Sequence, residues 1–297
     1  MARRRGTLLD ATGGGGVSTR ARLRVGYQGE PGAYSEEALL SLYPEAEPVG
    51  QRSFAMAFDA LLSGEVDLDV LPVENTLGGI VQEVNDLLWE RPGLRLIGEH
   101  VHQIRHCLLG TPGVPVRRAI SHPQALAQTR RYLEAHGIEP VPYYDTAGAA
   151  RHLAERPEAG LAAVASAAAA RRYGLEVLAA GIQDDDANQT RFVIAQRGAP
   201  VRPLQAAPGS KCSLCFVAAH VPGSLVAALR CFSARGVNLT RLESRPIPGK
   251  PFEYRFFLDF QVGDPEAAEA ALCELEATTH EVRLFGTYPA LRPPADR

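Results

Sequence analysis

The chain has no run approaching the roughly 18 consecutive apolar residues of a membrane span, which points away from the bilayer. It has no excess of basic residues: 31 Lys and Arg stand against 34 Asp and Glu, a net charge of −3, so no positive field draws it to nucleic acid or an anionic membrane surface. Cysteine is sparse and odd in number. Cys107, Cys212, Cys215, Cys231 and Cys273 form no regular frame, which argues against a disulfide scaffold and for the reduced cytoplasm. Cys212 and Cys215 have C-x-x-C spacing, but no second Cys/His pair completes a metal set. They also lie in "SLCFVAAH", which reads as a strand, where an offset of three sends side chains to opposite faces. His100, His102 and His106 cluster near one strand without a completing carboxylate or cysteine, so we expect surface or packing histidines and no metal.

Nucleotide signatures are missing too. Gly13 to Gly16 are not followed by the Lys-Ser/Thr of a P-loop, and Gly26, Gly29 and Gly32 are spaced G-x-x-G-x-x-G, not G-x-G-x-x-G. A nicotinamide-dependent dehydrogenase is therefore disfavoured, and no cofactor is expected. Residues 1–21 have a basic start but no apolar h-region. They read as a disordered tail, with Asp10 weakening an organellar presequence as the alternative.

What is present is ample core: 297 residues, 45% hydrophobic and 22% charged, suit a globular protein of about two domains. From Arg24 short apolar runs alternate with amphipathic helical stretches, the pattern of α/β architecture. "LRVGYQG", "DLDVLPVEN", "RRAISH" and "LAAVAS" read as strands ending in polar residues, and ligands of open α/β sheets bind beyond such ends. Residues 198–210, rich in Pro, Gly and Ala, read as a linker between a domain over 22–197 and a smaller one over 211–290. In the latter, strand, helix, strand, strand, helix, strand follow in the ferredoxin-like βαββαβ order. Leu225, Leu229 and Phe232 share one helix face, Ala268, Leu272 and Leu275 another, and Tyr254, Phe256, Leu258 and Phe260 a strand face.

Four stretches could carry chemistry. "GYQGEPGAYS" is either an anion-contacting glycine loop or a tight turn. In "LPVENTLGG", Glu74, Asn75 and Thr76 form a pocket rim, or Thr76 caps the following helix beside a solvated Glu74. In "SHPQALAQTRRYL", Ser121 or His122 caps a helix with Pro123 in its first turn, and Gln128, seven residues on, shares a helix face with Ser121. Both can then address one ligand, unless Gln128 is exposed and His122 a bystander. In "NQTRF", Thr190 and Arg191 open the apolar run "FVIA", as site residues or as an ordinary strand start with an edge charge.

Together and in this order, these pieces resemble prephenate dehydratase, whose pattern has G-x-x-G-x-x-[FY]-[ST], P-x-E-N-[ST], S-H-P-Q-x-x-x-Q and N-x-T-R-F. Here they are Gly29 to Ser35, Pro72 to Thr76, Ser121 to Gln128 and Asn188 to Phe192. The C-terminal unit is similar to the L-phenylalanine-binding ACT module of these enzymes, through "VPGSLVAAL" and "NLTRLESRP". Thr76 stands where Ser is commoner and Ser224 where Ala is; both remain small.

The resemblance implies a two-lobed, periplasmic-binding-protein-like α/β catalytic domain, crossed twice by the chain, with a cleft facing Thr190 and Arg191. It implies decarboxylating dehydration of prephenate to phenylpyruvate, with Thr190, Asn75, Ser121 and Gln128 catalytic. Glu74, Thr76, His122, Gln124, Arg191 and Phe192 bind substrate on this reading; we expect Arg191 and the helix N-terminus at Ser121 to Pro123 to anchor carboxylate, with Arg191 at the pyruvyl end. L-Phenylalanine is expected at Gly223, Ser224, Leu225 and Asn238, supported by Glu243 and Ser244, in a homodimer or homotetramer. With no room for an upstream chorismate mutase domain, a monofunctional enzyme is expected. Arogenate dehydratase, the same chemistry on the amino analogue, is the near alternative; a non-catalytic amino-acid sensor is one of another class.

Overall fold

The structure, a computed structural model, describes residues 22–202, 204, 207 and 209–290; the tail expected over 1–21 lies outside them. The chain begins with β1 (Arg24–Gln28), α1 (Tyr34–Leu42), β2 (Glu47–Gln51), α2 (Phe54–Ser63), β3 (Leu68–Asn75), β4 (Gly79–Ile80), α3 (Gln82–Glu90) and β5 (Leu94–Gln103). It crosses into β6 (Cys107–Gly110), β7 (Arg118–Ser121), α4 (Pro123–Gln128), α5 (Arg130–Ala135), β8 (Glu139–Pro142), α6 (Thr146–Glu155), β9 (Leu161–Ala165), α7 (Ala167–Tyr173) and β10 (Glu176–Ala180). It then returns through β11 (Gln189–Arg197), which inserts between β3 and β5 of the first sheet, ordered β2-β1-β3-β11-β5. The second lobe's sheet is ordered β10-β6-β9-β7-β8. Two α/β lobes crossed twice are thus present as expected.

Local chemistry sets the element ends. Ser53, Asp145 and Ser166 accept the first-turn N–H groups of α2, α6 and α7, and Gly64 and Gly174 close α2 and α7 in the left-handed region. Gly32, at φ +90°, brings the loop after β1 onto the second lobe, where a Cβ would stand 2.9 Å from the Ala169 backbone. Ser166 Oγ donates to the Gly32 carbonyl at 3.0 Å. Gly32 therefore serves lobe-to-lobe contact, while the end of the same loop, Ala33 to Ser35, opens α1 at the cleft.

β11 and β3 pair with Thr190 opposite Asn75 and Arg191 opposite Glu74, but Phe192 falls opposite Pro72. Val73 is the extra residue of a β-bulge. This changes the parity of β3, so Pro72 and Asn75, three apart, both face the cleft with Phe192 and Thr190.

The C-terminal unit has β12 (Ser210–Val217), α8 (Ser224–Ser233), β13 (Leu239–Ile247), β14 (Lys250–Val262), α9 (Pro265–Thr278) and β15 (Glu281–Pro289), with sheet order β13-β14-β12-β15. This is the ferredoxin-like βαββαβ arrangement. Its helices bury one face against Leu214, Phe216, Leu258 and Phe260. The other face does not meet solvent: Cys215, Phe257, Phe285 and Tyr288 join Leu71, Val84, Leu96 and Val193 of the first lobe in one core. Cys212 and Cys215 accordingly lie on opposite faces, and all five thiols are free. Gly286 permits this packing, because a Cβ there would stand 2.2 Å from the Leu96 carbonyl oxygen. Within the segment expected as a linker, Leu204 is buried in the C-terminal core and Arg202 donates to Glu269 at 2.7 Å.

Candidate functional site

A cleft of about 450 Å³ lies between the lobes, lined by residues from both. Its polar centre is the end of β3. Asn75 Oδ1 accepts the backbone N–H groups of Leu77 and Gly78 at 3.1 and 2.7 Å, which fixes the amide's orientation. Its Nδ2 must then face β11, where it lies 3.0 Å from Thr190 Oγ1 and 2.9 Å from Asn188 Oδ1. Thr190 Oγ1 is an acceptor in that contact, so its own hydrogen is available to a group in the cleft.

The network continues into the second lobe. Gln128 Nε2 donates to Asn75 Oδ1 at 3.3 Å, and Gln128 Oε1 accepts from Asn188 Nδ2 at 3.0 Å. His106 Nε2 lies 2.9 Å from that oxygen, and Nδ1 lies 2.8 Å from the Tyr34 hydroxyl. An Oε1 acceptor requires a proton on Nε2, leaving Nδ1 to accept from Tyr34 in the neutral ring. Burial holds the His106 imidazole below the ordinary histidine range, which favours that neutral form.

No lysine or arginine lines the cleft among the described residues. The backbone N–H groups at helix ends are the donors available to an anion instead, although Glu36 and Glu37 lie in the first turn of α1 and Glu83 in that of α3. α1 and α3 begin at Ala33 and Val81 without side-chain caps, and Ala33 to Ser35 and Ile80 to Val81 line the cleft. Their first-turn N–H groups carry the positive end of the helix dipole. Asp145 also lines the cleft; burial raises its carboxyl above the usual range, although the Gly148 N–H opposes that shift.

Of the residues expected here, Asn75, His122, Gln124, Gln128, Thr190 and Phe192 converge on the cleft. His122, not Ser121, caps α4, accepting from Gln124 N at 3.2 Å. Ser121 ends β7 before the helix begins, so helical spacing to Gln128 does not apply, and its buried Oγ donates to Val164 O at 2.6 Å. Arg191 is a second correction: adjacent strand residues point to opposite faces, and Thr190 takes the cleft. Its guanidinium is held away from the cleft by Glu99 and Asp259. Glu74, opposite Arg191, follows the same alternation. Thr76 caps no helix; it accepts from Gln189 N at 2.9 Å and donates to Ala187 O at 2.8 Å, securing the return crossing. His106 reverses the expectation of a packing histidine. Tyr34, Ser35 and Asp145 also line the cleft, and "AYS" within the glycine-rich motif was the signal for the first two.

The model of the prephenate dehydratase family matches residues 25–200. The chain belongs to the prephenate dehydratase family. It is a carbon–oxygen lyase of the type that dehydrates prephenate or its amino analogue. Over 290 residues it is 41% identical to the chloroplastic arogenate dehydratase/prephenate dehydratase 2 of Arabidopsis thaliana, covering 92% of this chain and 74% of that protein. Among solved structures, prephenate dehydratase from Arthrobacter aurescens in complex with L-Phe is 29% identical with a TM-score of 0.80, covering 92% of this chain and 93% of that one. A chain described as GqqA, a novel type of quorum quenching acylase, is 39% identical with a TM-score of 0.82, covering 90% and 98%.

The dehydratase carries a second hollow, about 370 Å³, on its C-terminal unit, lined by Ala218 to Pro222, Ser224, Tyr254 and Phe256. Ser224 is thus at this hollow, with Gly223 as the left-handed N-cap of α8 and Leu225 packed into the core. Ser244 pairs with Phe256 beside it, whereas Glu243 pairs with Phe257 on the opposite sheet face. Asn238 Nδ2 donates to Gln261 Oε1 at 3.3 Å.

Proposed function

We propose that this dehydratase converts prephenate to phenylpyruvate, with arogenate as the competing substrate. The C–C bond to the ring carboxylate breaks, its electron pair aromatises the ring, and the ring hydroxyl departs with its own pair. A hydrogen-bond donor at that oxygen stabilises the developing hydroxide. The observation that carries this reading is Thr190: Asn75 Nδ2 occupies its oxygen at 3.0 Å, so the hydroxyl hydrogen is left for the departing group. Gln128 and His106 hold Asn75 in place, and the α1 and α3 termini anchor carboxylate. Helix dipoles suit a carboxylate that must leave as neutral CO2, because a tight ion pair would hold the charge back.

Arogenate has one specific observation in its favour. Asp145 is the carboxylate among the described cleft-lining residues, and it would meet an ammonium better than a keto group. Acylase chemistry at Thr190 has no such support. Its hydroxyl is paired with an amide, which cannot take the proton a nucleophilic threonine must lose.

L-Phenylalanine is the proposed effector, at the hollow around Ser224. Exposed Val221, Val226, Leu242, Phe252 and Tyr254 support pairing of C-terminal ACT units in a homodimer or homotetramer. The free thiols support a reducing compartment such as the cytoplasm.

The test is turnover of prephenate and, separately, of L-arogenate, with and without L-phenylalanine. Prephenate turnover suppressed by L-phenylalanine is the expected result. Preference for arogenate, lost in Asp145→Asn, would move the assignment to the amino analogue. Binding of L-phenylalanine without turnover of either substrate would leave a sensor and overturn the enzyme reading.

A further inference from the structure

The residue after Thr190 sits in a buried charge cluster that the cleft chemistry does not use. Arg191 Nε donates to Glu99 Oε2 at 2.8 Å, and another guanidinium nitrogen donates to Asp259 Oδ2 at 2.7 Å. Its remaining nitrogen donates to the Tyr288 hydroxyl at 3.1 Å, and that oxygen lies 2.6 Å from Ser213 Oγ. Lys211 Nζ donates to Glu99 at 2.8 Å. The side chains of Glu99 and Asp259 are 1% and 2% exposed, and Arg191 only 14%. Arg191 and Glu99 belong to β11 and β5 of the catalytic domain; Lys211 and Asp259 belong to β12 and β14 of the C-terminal unit. Each domain contributes one cation and one carboxylate, and the Arg191–Asp259 and Lys211–Glu99 pairs cross the boundary.

We infer that Arg191 is a positioning residue that couples the C-terminal unit to Thr190. The inference rests on the dehydratase reading for the role of Thr190. Buried ion pairs resist separation, because pulling one partner away strands an uncompensated charge. Movement of β14 therefore pulls on Arg191, and with it the backbone that sets Thr190 against Asn75. The β-bulge between Arg191 and Phe192 is where the pairing of β11 with β3 can yield. An effector that favours one placement of the C-terminal sheet then biases the alignment of the catalytic hydroxyl.

The test compares Asp259→Asn, Asp259→Glu and Arg191→Lys with the wild type. Asp259→Asn should lower kcat about 10- to 100-fold, the cost of misplacing a reacting group by of the order of 1 Å. Its KM should stay within about twofold, since the substituted side chain lies outside the cleft, a loss confined to transition-state stabilisation. Its response to L-phenylalanine should be blunted, and Asp259→Glu should restore both properties. Wild-type turnover and L-phenylalanine response in Asp259→Asn would overturn the coupling, as would an Arg191→Lys defect confined to KM. If the wild type turns over neither substrate, the dehydratase reading falls separately, and hydrogen exchange decides the coupling. L-Phenylalanine should alter protection of the β11 amides in wild type but not in Asp259→Asn; equal change in both, or none in wild type, sinks it.

Discussion

At the scale of single residues, the decisive feature is an amide whose orientation is dictated from behind. Two backbone N–H groups occupy Asn75 Oδ1, so Nδ2 faces Thr190. Thr190→Val keeps the shape and removes the hydroxyl; we expect kcat to fall by about 10²- to 10³-fold, the scale for losing one transition-state donor, with an unchanged circular dichroism spectrum. Asn75→Asp is the more searching change. A carboxylate at that position still accepts from Leu77 and Gly78 but draws the Thr190 hydrogen toward itself and away from the cleft. A comparable fall in kcat is expected, and steady-state kinetics near wild-type values would remove Asn75 from the mechanism.

At the scale of elements, β3 combines the catalytic end with an unusual interior. Asp69 is fully buried, neither carboxylate oxygen has a hydrogen-bond partner, and burial pushes its pKa up to about 8. Gly26 on β1 leaves it room, since a Cβ there would stand 1.9 Å from Asp69 Oδ1. Between the ordinary carboxylate pKa of about 4 and about 8, the folded chain holds this proton while the unfolded chain has released it. Stability contributed by this group therefore falls as pH rises through that window, with the full penalty present above it. Asp69→Ala should flatten the pH dependence of Tm and stabilise the protein at pH 8 by about 1–3 kcal/mol, the cost of a buried unsatisfied polar group. Denaturant melts at pH 5 and 8 check this; a slope equal to wild type would show that Asp69 is already solvated or paired.

At the scale of the whole molecule, the single tryptophan reports on the contact between catalytic and C-terminal units. Trp89 lies in the last turn of α3 with Arg283 4.6 Å from its ring centroid and Arg255 5.7 Å away, both from the C-terminal sheet. Asp86, one turn earlier on α3, accepts from Arg255 at 2.6 Å and also from Arg245. L-Phenylalanine does not absorb at 295 nm, so excitation there reads Trp89 alone. If the effector moves the C-terminal sheet, Trp89 emission should shift with the same concentration dependence as inhibition. Inhibition without any emission change would place the conformational response elsewhere.

The sequence by itself determined the alternation of strands and helices and the polar centre of the site. Apolar periodicity carried the α/β alternation and the βαββαβ order of the C-terminal unit, because burial of one face follows from spacing along a single strand or helix; the two lobes came from the family resemblance. The motifs named Asn75, Gln128 and Thr190, because polar groups gathered at strand and helix ends are visible in one dimension. What the residues face was decided by tertiary structure. Local alternation already separates Arg191 from Thr190, but only the docked C-terminal sheet supplies Asp259 and Tyr288 as its partners. Ser121 turned to Val164 because its strand lies beside β9, and His106 entered the cleft because the first crossing, residues 104–106, runs beside Gln128 of α4. The bulge at Val73 arises from pairing between β3 and a strand more than a hundred residues later. Such choices depend on which distant surface a side chain meets, and periodicity within one segment carries no information about that.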